Sequence, residues 1–361
     1  MARDIDTDAA AAREMFQSFD GMEGLPTLAV RPPLSAEAFA RSVYPGVLAA
    51  GAIGLASAWL ADHYTAPIML FALLFGMAFH FLHEEGRCIP GIEFSSKAIL
   101  RTGVALLGAR ITVEQMLQLG VAPIAMVIAG VATTILVGAG LARLLGLSRG
   151  FGVLSGGSVG ICGASAALAI ASVLPKTKDS ERDVILAVVV VTTLSTIAMV
   201  LYPMLVTALG LDHQRAGLFL GGTIHDVAQV VGAGYMISPQ TGDVATYVKL
   251  LRVAMLLPVV LILSVVMRRG AGGGVARAPL PWFLVGFAAL VATNSLGWLP
   301  KLAVDAAGVV SRACLVAAIA ALGMKTSFKS LAAAGWRPVA VMVLETLWIG
   351  GLVLGVVLVF A

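Results

Sequence analysis

The chain has 361 residues, of which 59% are hydrophobic and 12% charged, with a formal net charge of +4. Charged residues are thus about half as frequent as in a soluble domain, which excludes a soluble enzyme and makes the bilayer the solvent. Cys88, Cys162 and Cys314 show neither a Cys-x-x-Cys nor a Cys/His spacing, so a disulfide framework and a metal centre are excluded as well. The mild basicity serves membrane orientation rather than nucleic-acid binding, and no cofactor is expected.

Residues 1–43 carry Asp4, Asp6, Asp8, Glu14, Asp20 and Glu23 without an apolar core, unlike a cleaved signal peptide. They read as a polar cytoplasmic tail. From residue 44 onward, apolar runs of about 17 to 25 residues recur, enough to cross a hydrocarbon layer of about 30 Å as helix. Eleven spans are expected, near 44–62, 66–83, 94–109, 118–143, 150–174, 183–208, 215–236, 245–267, 280–298, 307–324 and 338–360. The third and tenth are short and contain Lys97, Arg101 and Arg312.

Most loop Lys and Arg fall on the side of the N-terminal tail, among them Arg143, Arg149, Arg268, Arg269, Arg277, Lys325, Lys329 and Arg337. Arg110, Lys176, Lys178, Arg182 and Lys301 fall opposite. The positive-inside rule then places the N-terminus in the cytoplasm of an inner membrane and Ala361 on the periplasmic side.

An offset of about 151 residues lays Ile99-Leu100-Arg101 on Leu250-Leu251-Arg252, and nearly the same shift lays the segment from Cys162 on that from Cys314. Repeat one would cover about 66–208 and repeat two about 215–360. Five spans per copy is odd, so the copies would be inverted in the membrane, the architecture of alternating-access transporters. Chance matching of Leu/Ala-rich helices is the other explanation.

Span five holds glycines at 150, 152, 156, 157, 160 and 163. Each costs about 1 kcal/mol against alanine inside a helix, so the cluster points to unwound backbone lining an enclosed cavity. A break at Gly156, Gly157 and Gly160 would leave a half-helix starting near Cys162, Gly163 and Ser165. Its free N–H groups and dipole would attract an anion, with Ser158 and Ser165 adding hydroxyl donors. The alternative is close helix packing through small residues.

Span seven reads Gly221-Gly-Thr-Ile-His-Asp-Val-Ala-Gln-Val-Val-Gly-Ala-Gly. On a helix Asp226 and Gln229 are three apart and His225 and Gln229 four apart, so they share a face with Thr223 nearby. Ionisable groups at membrane depth usually line a pathway. His225 changes charge near neutral pH and Asp226 beside it shifts that titration, making this pair the candidate for proton coupling. A hydrogen-bonded packing role is the alternative. His80 sits either beside this pair or at the surface with His83, Glu84 and Glu85.

Lys97, Arg101, Lys249 and Arg252 flank spans three and eight, either around an anion path or snorkelling to the interface. Glu345 and Asn294 are lone polar residues that either hold an ion or bond a neighbouring broken helix.

Gly156-Gly-Ser-Val-Gly-Ile-Cys-Gly-Ala-Ser-Ala, Gly221 to Gly234 and Leu100-Arg-Thr-Gly-Val-Ala-Leu-Leu-Gly-Ala-Arg110 together resemble the YeiH-type sulfate exporter family from about residue 45 to the C-terminus. The resemblance implies a bacterial inner-membrane protein related to the bile-acid symporter and sodium/proton antiporter fold. It would have one extra N-terminal helix, a panel, and a core with two crossed discontinuous helices, spans five and ten. Span ten lacks the glycine cluster of span five.

The fold expected is therefore an all-α polytopic membrane protein, and the function secondary transport of a small inorganic or organosulfur anion such as sulfate or sulfite. Substrate binding falls to Gly156, Gly157, Ser158, Gly160, Cys162, Gly163, Ser165, Thr223 and Gln229, with the Cys162 thiol read as a small packing group. An ion gradient, of protons or sodium acting through His225 and Asp226, or the substrate's own gradient would drive it, since no Gly-x-x-x-x-Gly-Lys-Ser/Thr loop is present to use ATP. A cation/proton antiporter is the competing transporter. A membrane-embedded enzyme or sensor is disfavoured, because no Ser/His/Asp order or His-Glu-x-x-His occurs. A Gly/Ala-rich face would serve either a homodimer or packing within one chain.

Overall fold

Backbone polar groups inside a bilayer have to be bonded within their own segment, and the computed structural model of the chain meets that demand with helices throughout the described residues. These are residues 36–64, 67–84, 86–118, 120–175, 177, 179–267, 282–326 and 335–360. Most of the expected tail, together with Glu85, Lys176, Lys178, Arg268, Arg269, Arg277 and Lys329, lies outside them.

The helices are α1 (Ala36–Tyr64), α2 (Ile68–Ala78), α3 (Phe81–Glu84), α4 (Ile89–Phe94), α5 (Leu100–Leu107), α6 (Val113–Gln118), α7 (Ala122–Leu144), α8 (Arg149–Gly160) and α9 (Ala164–Ala171). They continue as α10 (Ser180–Ala208), α11 (His213–Thr223), α12 (Val227–Ile237), α13 (Pro239–Ala254), α14 (Leu256–Met267), α15 (Trp282–Ser295), α16 (Lys301–Lys325) and α17 (Trp336–Phe360). A π turn at Ser95–Ile99 joins α4 to α5 without interrupting the rod. Among the described residues, six helices are long and apolar enough to span a membrane: Glu37–Tyr64, Ala122–Leu144, Ser180–Ala208, Pro239–Val266, Lys301–Lys325 and Trp336–Val359. Ile68–Ala78, Val227–Ile237 and Trp282–Ser295 are shorter apolar helices. This is a polytopic membrane protein.

The helices pack as two bodies. One body, the core, joins α7 to α14 with α17; the other, the panel, joins α1, α2, α4, α5, α15 and α16. Within the panel, Gly76 and Gly323 bring the α2 and α16 backbones together, so that a Cβ on Gly323 would stand 2.9 Å from the Gly76 Cα. The two bodies touch where α12 lies on α2 and α16.

Span ten, expected to be the second discontinuous helix, is unbroken as α16. Its Val-Ala-Ala-Ile-Ala-Ala-Leu stretch is a good helix former, and its single late glycine, Gly323, is used for the approach of α2. The second break falls instead in span seven, between α11 and α12.

Candidate functional site

Ser148 opens the first broken helix, its hydroxyl accepting the Phe151 N–H at 2.9 Å as an N-cap. Every residue from Phe151 to Gly160 is buried. The helix stops where Ile161 takes φ −109°, ψ −86° and Gly163 takes φ +70°, ψ −131°. The latter is a region that a residue with a Cβ enters only under strain. The Gly163 N–H turns back to donate to the Ser158 carbonyl at 2.8 Å, and α9 begins at the next residue.

The break therefore lies at residues 161–163 and not at Gly156 to Gly160, which are helical. Gly152 and Gly156 serve packing against α7: a Cβ at Gly152 would meet Ala139 Cα at 2.7 Å, and one at Gly156 would meet Ile135 Cα at 2.7 Å. Gly152 and Gly156 thus serve helix packing, while Gly163 serves the unwound turn. The Ser158 hydroxyl is fully buried and donates to the Leu154 carbonyl at 2.6 Å.

The second broken helix runs α11, an extended stretch through Ile224 and Asp226, then α12. The Asp226 carboxylate caps α12 by accepting the Ala228 N–H at 3.1 Å, while its own backbone N–H donates to Ser195 Oγ at 3.0 Å. Thr223 closes α11 with its hydroxyl on the Phe219 carbonyl at 2.6 Å. Asp226 and Gln229 thus belong to α12, Thr223 to α11 and His225 to the connection between them, rather than to one continuous helical face. His225 is fully buried, with Nε2 3.0 Å from Thr346 Oγ1 of α17. The two breaks touch each other: a Cβ on Gly163 would lie 3.7 Å from the His225 carbonyl oxygen and 3.8 Å from Asp226 Cβ.

Interrupting a helix at membrane depth leaves carbonyls without partners at the C-terminal end of each first half. Two cations one turn apart on α13 supply them. The Lys249 ammonium donates to the carbonyls of Ile161 at 2.7 Å, Ile224 at 3.0 Å and His225. The Arg252 guanidinium donates through Nε to Gly160 at 2.9 Å, through one terminal nitrogen to Gly221 at 3.2 Å and Ile224 at 3.0 Å, and through the other to Val159 at 2.6 Å. Lys249 is 0% exposed and Arg252 1% exposed, so neither snorkels and neither opens to a path. They cancel the negative dipole ends of α8 and α11, each roughly half an elementary charge, and the positive charge left over is balanced by the Asp226 carboxylate at the same break.

The positive dipole ends differ from each other. Asp226 caps α12, whereas α9 starts at Gly163 with no side-chain cap, and Ser165 in its first turn is exposed. Gln229 is fully buried, with its Nε2 3.5 Å from Thr196 Oγ1 and its Oε1 unpartnered among the described residues. Of the residues expected at the site, Cys162, Gly163, Ser165, His225, Asp226 and Gln229 gather around the two breaks. Gly156, Gly157, Gly160, Ser158 and Thr223 stay inside buried helical turns.

Across from the core, Lys97 in the π turn and Lys325 at the end of α16 share the Glu93 carboxylate at 2.6 and 2.7 Å, and His83 Nε2 stands 3.2 Å from it. Lys325 is also within electrostatic reach of Asp226. Arg101, by contrast, is half-buried rather than fully enclosed as Lys249 and Arg252 are. His80 bonds the Met324 carbonyl through Nδ1 at 2.6 Å, away from His225. Burial alone would raise the Glu93 carboxyl, but the His83 hydrogen bond and the ammonium groups of Lys325 and Lys97 hold it well below the usual carboxylate range.

A carboxylate whose folded value is depressed contributes stability above its unfolded value, and the contribution is lost as pH falls. Glu93→Gln is expected to cost about 1–3 kcal/mol at neutral pH. In thermal unfolding in detergent the gap to the native protein should narrow progressively below about pH 4.3.

The chain matches the profile of the family described as conserved hypothetical protein 698 over residues 45–342. It is 56% identical over 316 residues to a UPF0324 membrane protein of Chlorobaculum tepidum, covering 86% of this chain and 88% of that protein. A UPF0324 membrane protein of Rhizobium meliloti is 51% identical, covering 86% of this chain and 91% of its own length. The UPF0324 membrane protein TauZ of Paracoccus pantotrophus is 50% identical, covering 85% and 92%.

Proposed function

We propose that this chain, which belongs to the conserved hypothetical protein 698 family of membrane proteins, is a secondary transporter of a small anion in a bacterial inner membrane. It works by alternating access, the core moving against the panel around a midplane site. The observation that carries the reading is the meeting of two broken helices whose carbonyl ends are neutralised by Lys249 and Arg252. The uncapped α9 N-terminus and the exposed Ser165 are left free for a ligand. Free N–H groups and a hydroxyl at the positive end of a helix suit an oxyanion.

Eleven crossings, a cytoplasmic N-terminus and a periplasmic C-terminus are part of this reading, with the broken helices counted as spans five and seven. Inverted repeats belong to it as well, although the two breaks are not related by the offset of about 151 residues. The kinship with YeiH-type sulfate exporters and the bile-acid symporter fold belongs here too. The substrate class is a sulfur oxyanion or organosulfonate; the name TauZ, carried by two Paracoccus relatives, hints at a sulfur link. Protons or sodium supply the energy, with His225 and Asp226 between the bound anion and the panel lysines. A cation/proton antiporter is the second reading, favoured by the carboxylates of Asp226 and Glu345 in the core. Neither reading involves a chemical reaction.

Radiolabelled sulfate and sulfite flux in proteoliposomes, under separately imposed pH and sodium gradients, tests it. Saturable, gradient-dependent flux is expected, falling about tenfold or more in Ser165→Glu, which sets a negative charge at the anion's position. Wild-type protein that moves neither anion under either gradient overturns the reading, and sodium flux without anion flux selects the antiporter.

A further inference from the structure

Glu345 lies midway along α17 and is 0% exposed. Its Oε1 accepts the Ser155 hydroxyl at 2.7 Å, and its Oε2 has no hydrogen-bond partner among the described residues. It forms no ion pair there with a described residue. Gly138 of α7 is bare beside it: a Cβ at that position would collide with the Glu345 carboxyl. The carboxyl is thus enclosed by α7 and α8, one turn of α8 ahead of Ser158. The next residue, Thr346, holds His225 in the second break at 3.0 Å. One turn of α17 therefore joins a carboxyl against the first broken helix to a histidine inside the second.

The other ionisable groups on the elements packed around α17 are engaged or distant. Arg143 on α7, Arg149 on α8, Glu181 and Arg182 on α10, His213 on α11 and Arg337 on α17 itself are exposed toward helix ends. Asp183 bonds Ser148, Arg215 lies near Asp212, and Tyr202 of α10 reaches Gly350 rather than Glu345. Lys249 and Arg252 donate to carbonyls, and Asp226 caps α12. An ionised carboxylate with a single hydroxyl donor and no cation is among the least stable arrangements at membrane depth, so the acid form is the one this packing accommodates.

We propose that Glu345 is the proton-carrying group of the transport cycle. It holds its proton while α7 and α8 enclose it and releases it to water when α17 shifts against them within the core and uncovers Oε2. A proton taken from water on the opposite face restores the acid, so each turn moves one proton with the substrate. Thr346 makes the position of His225, and so the geometry of the second break, follow the same turn of α17. The inference rests on the transporter reading and gives it a coupling ion and a residue. His225 then acts as a positioning residue rather than the proton carrier.

The test uses the full-length protein in proteoliposomes with radiolabelled sulfate. Wild-type exchange of sulfate for sulfate is measured first, and its absence is a failure of the transporter reading, not of this one. Glu345→Gln is expected to keep that exchange within about twofold while losing pH-gradient-driven accumulation by about tenfold or more. Glu345→Asp should recover part of the driven flux. Ser155→Ala, which removes the hydroxyl, should move the pH at which driven flux is half-maximal while exchange continues. Driven accumulation unchanged in Glu345→Gln overturns the proposal. So does loss of exchange in that variant, which would place the carboxyl on the anion path.

Discussion

Arg252→Met should lower stability by roughly 3–5 kcal/mol, since it leaves buried polar groups without their charged partner. Methionine keeps much of the side-chain volume, so cavity formation contributes little. What disappears is the donor set for the carbonyls of Val159, Gly160, Gly221 and Ile224. No water reaches them, because Arg252 is 1% exposed. Both broken helices end on this one guanidinium, so the ends of α8 and α11 lose their cap together. Thermal unfolding in detergent checks it. Arg252→Lys should recover only part of the loss, since an ammonium is a compact donor without the planar fork that spans two helix ends. A midpoint unchanged in Arg252→Met would mean that the carbonyl contacts are energetically idle.

Gly163→Ala should cost about 1–3 kcal/mol, the strain of placing a Cβ residue at φ +70°, ψ −131°. The space around the position is not the obstacle, because the new Cβ would find ordinary contacts at 3.7 and 3.8 Å on His225 and Asp226. The chain can relieve the strain only by rotating the peptide that starts α9. That rotation turns the N–H groups of the first turn away from the proposed anion position, so on the transporter reading anion flux is expected to fall further than the stability change alone requires. Flux and thermal midpoint measured on the same preparation separate the two effects. Gly157→Ala makes the comparison: a Cβ there meets only the flexible Ile170 side chain and leaves the break untouched.

The apolar runs made the membrane spans legible, because nothing else accounts for so much hydrophobic length at that spacing. The first broken helix was legible from its glycines, but its break was misplaced by a few residues, since Gly152 and Gly156 are required by the approach of α7. The second break was read as a continuous polar face. Its signal was present: Asp226 followed three residues later by Gln229 is the spacing of a capping box, which marks a helix start inside what was taken as one helix. The spacing of Lys249 and Arg252 put them on one side of a helix, yet no local pattern says whose carbonyls they meet. Those partners lie about 90 residues away for Ile161, Gly160 and Val159, and such pairings follow from tertiary packing alone. The sharing of Glu93 by Lys97 and Lys325 was hidden for the same reason.

Backbone approaches through glycine are distributed unevenly. Gly76 with Gly323, Gly91 with Gly46 and Gly108 with Phe287 lie within the panel, while Gly152 with Ala139 and Gly234 with Gly242 lie within the core. Where α12 meets α16, a Cβ on Gly232 would instead stand 3.3 Å from the tip of the Ile319 side chain. Interlocked main chains resist shear, whereas a branched side chain resting on a bare helix surface can change rotamer and let the surface pass. The consequence is mechanical and shows in tolerance to change: an added methyl group at an intra-body glycine jams two helices, while Ile319 can be exchanged for valine or leucine with little cost to folding and, on the proposed alternating-access mechanism, a measurable change in transport rate.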